Sequence, residues 1–173
     1  MSAAFLKSLP AMKVEVVRSP RRRKTITAER RGNRLVVRLP AGLSRSEERS
    51  WVERMVADVE RRDLENRLNA GRSLERAAHR LNRRFFDGRL RWEAIRYVTN
   101  QRDRFGSCSP HNGTIRISGR VATMPEFVRD YVVVHELAHL LVADHSPRFW
   151  RLANRYPMAE RARGYLMAIG MEE

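Results

Sequence analysis

Asp130-Tyr131-Val132-Val133-Val134-His135-Glu136-Leu137-Ala138-His139-Leu140-Leu141-Val142-Ala143-Asp144-His145 is the stretch that decides how this chain is read. Its apolar residues recur on nearly every side of a helix, so the spacing predicts a helix buried in a core. On that helix His135 and His139 stand at i and i+4 and point to one face, where both rings reach a single metal ion. Glu136 lies one step round, off the metal but within reach of a water bound to it. Two zinc ligands and a general base thus come from five residues.

A third ligand is required, and His145 follows His139 by six residues. That is the ligand spacing of the long His-Glu-x-x-His-x-x-Gly-x-x-His metal signature. Val142 stands where the signature has glycine, so the chain must turn back by other means. Asp144-His145-Ser146-Pro147 supplies them, with Ser146 as the cap of a new helix and Pro147 at its first position. Three of the chain's five histidines fall in this short span. A chance match would bury two histidines and a glutamate without partners, at about 1–3 kcal/mol for each unsatisfied polar group. Zn²⁺ is therefore the expected cofactor.

A chain of 173 residues is long enough for one real core. The expected division is a flexible start over 1–12, N-terminal strands and helices of the same compact unit over 13–88, and a core over 89–170. The opening residues lack the apolar run of a secretion signal, and the low-polarity stretch Tyr131 to Ala143 is too short and polar to span a bilayer. With one cysteine there is no internal disulfide, and the expected compartment is the cytoplasm. The formal net charge is +15, of which +13 lies before Arg104. Arg18 and Arg21-Arg22-Arg23-Lys24 are its densest part, a face suited to weak nucleic-acid contact. Against this, only three of the 35 basic residues are lysine, and Arg30, Arg31, Arg61 and Arg62 are interspersed with acids like a solvated surface.

Residues 13–39 read as short antiparallel strands, with a turn at Arg31-Gly32-Asn33. Ser44-Arg45-Ser46-Glu47 resembles a capping box, and Trp51, Val52, Met55, Val56, Val59, Leu64 and Leu68 recur at helical spacing behind it. Asn69-Ala70-Gly71 interrupts that stripe. Ser73 is the expected cap of a second helix carrying Leu74, Ala77, Ala78, Leu81 and Phe85, on which His79 is an ordinary residue. Trp92 to Thr99 and Thr114 to Ser118 read as strands, and Pro110-His111-Asn112-Gly113 as a turn containing His111. Thr123 with Glu126 signals the start of the motif-bearing helix.

Four blocks then carry a resemblance: Phe105-Gly106-Ser107-Cys108-Ser109, Gly113-Thr114-Ile115, Asp130 to Leu140, and His145-Ser146 with Phe149-Trp150. In that order they resemble the YgjP-like metallopeptidases, within the wider set of small zinc peptidase-like proteins that includes the WLM and SprT-like groups. The resemblance implies an α+β, zincin-like core, a small mixed sheet packed on the helix of the His-Glu-x-x-His motif, with an N-terminal strand and helix extension. It also implies His135, His139 and His145 as ligands and Glu136 as base. Two positions depart from the family pattern: Phe105 replaces a tryptophan, and Ser118 stands where members carry asparagine.

Three functions are compatible with these residues. The first is a zinc peptidase in which Glu136 takes a proton from water and passes it to the leaving group, and an extended peptide pairs with the strand at Thr114–Ser118. The second, linked to the resemblance, is hydrolysis of nucleoside triphosphates, notably UTP, with arginines holding the phosphates. The third is a non-catalytic or DNA-associated module, against which Glu136 speaks, because structural zinc needs no base. Tyr131 and Tyr156 are candidates for oxyanion stabilisation or for packing. Cys108 is either an inhibitory fourth ligand or a small buried hydrophobe.

Overall fold

Period-2 and period-3.6 patterning resolves, among the described residues, into six strands, five α-helices and one short 3₁₀ helix. The computed structural model describes residues 12–101 and 103–169. Apart from Met12, the expected flexible start lies outside them. The chain is α+β and divides into two compact units, Met1–Leu64 and Glu65–Glu173. No helix among the described residues is long and apolar enough to cross a membrane.

In the first unit, β1 (Lys13–Ser19), β2 (Thr27–Arg31) and β3 (Arg34–Pro40) form a sheet in the order β1-β3-β2. The hairpin β2–β3 is antiparallel as expected, but β1 runs parallel to β3, from Lys13 opposite Arg34 to Ser19 opposite Pro40. The seven residues between β1 and β2 are enough to carry the chain past β3 to its far side. Leu35, Val37 and Leu39 share one face and are fully buried. Val52, Met55, Val56 and Val59 of α1 (Arg45–Ala70) pack on them. The capping box opens α1 as read: the Ser44 amide donates to Glu47 Oε2 at 2.9 Å, and the Glu47 amide donates to Ser44 Oγ at 3.3 Å.

The second unit holds α2 (Ser73–Phe85), β4 (Ala94–Val98), β5 (Gly106–Ser109), β6 (Thr114–Ser118), a 3₁₀ helix (Gly119–Thr123), α3 (Glu126–His139), α4 (Pro147–Ala153) and α5 (Ala159–Ala168). Its sheet has the order β4-β6-β5, with β4 parallel and β5 antiparallel to β6. Strand β5 is absent from the sequence reading, because Gly-Ser-Cys-Ser carries neither β-branched residues nor an apolar alternation. The Pro110–Gly113 turn delivers it to β6, with Gly113 at φ +62°, a conformation that favours glycine. Helix α3 packs against β5, β6, α2, α4 and α5, which explains why Val128, Tyr131, Val132, Val133, Val134, Leu137 and Ala138 are all buried.

Two caps differ from expectation. Helix α2 starts after Arg72 in the left-handed conformation, with no side-chain cap from Ser73, which lies inside the first turn. Helix α3 starts after Pro125, and Thr123 Oγ1 donates instead to the Arg120 carbonyl at 3.0 Å. The 3₁₀ helix ahead of α3 claims that hydroxyl. Asn69, where the stripe of α1 stops, has a role of its own. Its side chain accepts from the Tyr97 amide at 2.9 Å and donates to the Tyr97 carbonyl at 3.0 Å, tying the end of α1 to β4.

Candidate metal centre

The last turn of α3 presents His135 and His139 to one point, and the segment that follows brings His145 to the same point. His135 Nε2 lies 3.2 Å from His139 Nε2 and 3.1 Å from His145 Nε2. Donor atoms of all three lie within 4.8 Å of one another, and among the described residues no other group of histidine, cysteine or carboxylate side chains clusters in this way. The turn needs no glycine at 142. The Leu141 and Val142 amides both donate to the Ala138 carbonyl, and α4 begins after Ser146 with Pro147 in its first turn, as the sequence predicted. The Ser146 side chain makes no capping bond, although its carbonyl accepts from the Trp150 amide.

These residues fit a divalent ion. His139 Nδ1 lies 3.1 Å from the Val142 carbonyl, so it carries the proton and donates, leaving the Nε2 lone pair facing inward. Burial, and then the nearby His139, His145 and Arg163, push the His135 pKa down to about 3; burial also lowers that of His139. Both rings are neutral at pH 7. Three ring nitrogens converging at this distance form a donor set suited to zinc.

Phe149 on α4 is the floor of the cluster and went unrecognised as such in the sequence. It is fully buried, stacks on His139 at 4.3 Å between centroids, and touches the rings of His135 and His145 at 4.7 Å. Its spacing of four from His145, across a helix start, is the signal that could have found it. Trp150 lies 5.5 Å from His145, and Arg163 caps it from 5.1 Å.

A cavity of about 380 Å³ opens in front of the histidines. Glu136 and Cys108 line it along with His135, His139 and His145, so five of the seven candidate residues come together. Glu136 is only 4% exposed. Tyr131 and Tyr156 are not brought to the cavity. Tyr131 is fully buried and its hydroxyl is paired with Arg163, while Tyr156 sits edge-on against Phe85. Cys108 lies outside the donor cluster. Burial and the neighbouring Glu136 push its thiol up to about 12. At pH 8 its thiolate fraction is then about 10⁻⁴, and iodoacetamide should alkylate it about 10³-fold more slowly than a free cysteine. A rate like that of free cysteine would show that the thiol is not held neutral.

The strand assigned to peptide pairing must be corrected. Strand β6 is central and bonded on both edges, whereas β5 is an edge strand whose Gly106, Ser107 and Cys108 line the cavity. His79 lies outside this cluster and packs at a tilt on Trp92, 4.7 Å between centroids; His111 is exposed in its turn. The two departures from the family pattern are accommodated. Phe105 is buried in the core, and Ser118 Oγ donates to the Gln101 carbonyl at 3.1 Å.

Three imidazoles converging beside a buried carboxylate, in a cavity open to solvent, define a metal-dependent hydrolase site. The chain belongs to the YgjP-like family: the model of its metallopeptidase domain matches residues 13–168. Among solved structures, the metallopeptidase zymogen abylysin of Pyrococcus abyssi is similar, at 24% identity over 56% of this chain and 94% of that one, with a TM-score of 0.49. No curated protein matches the chain.

Proposed function

We propose that the protein is a zinc peptidase in which His135, His139 and His145 hold the ion and Glu136 is the general base. The observation that carries this reading is the convergence of three Nε2 atoms, one with its tautomer fixed by the Val142 carbonyl, in the cavity that Glu136 lines. A bound divalent ion supplies a Lewis acid that brings the pKa of water to about 7. Glu136 takes the proton of the attacking water and delivers it to the leaving amine. His139, held through Nδ1, and Phe149, packed beneath all three rings, keep the imidazoles in register.

The edge of β5 that no other described strand occupies supports a peptide substrate, since an extended chain can add there through main-chain hydrogen bonds. A nucleoside triphosphate would call for several cations near the ion. Among the described residues, Arg104 is the one arginine lining the cavity, and Asp103 lines it too. Parallel assays of the Zn²⁺-loaded protein on fluorescein-labelled casein and on UTP test the choice. Casein cleavage without release of phosphate or pyrophosphate is the expected result; UTP turnover with intact casein would overturn it.

A further inference from the structure

Gly106 begins β5, and its Cα lies directly against the side chain of Glu136. A β-carbon placed there would fall 2.8 Å from both Cγ and Cδ of Glu136 and would press on Oε1 as well. At no other described glycine does an added carbon come closer than 3.0 Å to a neighbour. Gly106 is not among the glycines of positive φ, so its backbone is open to any residue. What the position demands is the absence of a side chain. Glycine inside a strand weakens it, and its presence here marks a close approach.

The strand is held more firmly than the Glu136 side chain it faces. Strand β5 is fixed from the far side, with Gly106 opposite Ile117 and the Ser118 amide donating to the Phe105 carbonyl at 2.7 Å. Glu136 is buried in the body of α3. Both residues line the cavity that His135, His139 and His145 share. We propose that Gly106 is a positioning residue: the bare face of β5 sets where the Glu136 carboxylate comes to rest and so aims it at the space before the three histidines. This rests on Glu136 as general base. A methyl group at 106 turns the carboxylate aside or lifts the strand, and a displacement of about 1 Å is enough to lower turnover about 10²-fold.

The test is a double-mutant cycle on the full chain, Gly106→Ala in the native background and again with Glu136→Ala. Thermal denaturation should show Gly106→Ala lowering Tm by roughly 2–10 °C in the native background and by almost nothing where Glu136 is alanine. Equal losses in both backgrounds, or no loss in the native one, overturn the contact. The aiming role is read on the Co²⁺-loaded protein, from the pH midpoint of its visible spectrum. Gly106→Ala should move that midpoint in the same direction as Glu136→Gln; an unmoved midpoint overturns the positioning role whether or not casein is a substrate. Where casein is cleaved, kcat should fall about 10²-fold with KM and Zn²⁺ stoichiometry little changed, and an unchanged kcat would equally overturn it.

Discussion

Glu136→Gln should lower kcat on labelled casein by about 10²–10⁴-fold, the range a positioned general base contributes, while Zn²⁺ content stays at the native level. The amide is nearly isosteric, so the packing of Gly106 on this side chain is retained. Ligation is also spared, because the three histidines form the donor cluster without Glu136. What is lost is a group able to take a proton near neutrality. If the variant matches the native protein on every substrate turned over, Glu136 is not the base. If Zn²⁺ is lost as well, the carboxylate supports the ion directly, and the assignment must change in the other direction.

His145→Ala should weaken Zn²⁺ binding by more than the roughly 10–100-fold that follows from losing a mere hydrogen-bond partner of a ligand. His145 is the informative member of the three. His135 is buried and His139 half-buried within α3, so truncating either also leaves a hole in packed structure. His145 is exposed, at the start of the turn into α4, and its removal disturbs little besides the donor set. Titration with Zn²⁺ while following Tm separates the effects. The native protein should gain stability as free Zn²⁺ exceeds its Kd, and the variant should need far higher concentrations for the same gain. Unchanged stoichiometry and affinity would exclude His145 as a ligand.

The convergence of the three histidines was legible in the sequence because it is built almost entirely from local geometry. The spacing of His135 and His139 is one helical turn, and Ser146-Pro147 marks where the following helix begins. Strand β6 was legible from alternation to its last residue, and α1 from its capping box. Pairing partners were not. Alternation in Val14, Val16 and Leu35 to Leu39 reveals strands but carries no record of the neighbour, so β1 was placed antiparallel where it is parallel. Strand β5 carries no sequence signal of its own, because its four residues owe their extended form to β6 and not to their own preference. The strand available for peptide pairing beside the cavity is therefore β5 and not Thr114–Ser118. Tyr131 shares the face of His135 one turn away, its ring 6.1 Å from that imidazole, but it is fully buried and pairs with Arg163 instead of lining the cavity, a depth that sequence spacing does not record.

The contact between the His139 ring and residue 142 runs through a main-chain oxygen. Every amino acid carries that atom, so the identity of residue 142 is decoupled from the tautomer it enforces. A branched aliphatic such as Val142 can then serve where the long signature writes glycine, and its buried side chain anchors the turn from within. What the segment between His139 and His145 must conserve is the path of its backbone: inserting or deleting a single residue there would dismantle the site, although none of the intervening side chains belongs to the donor cluster.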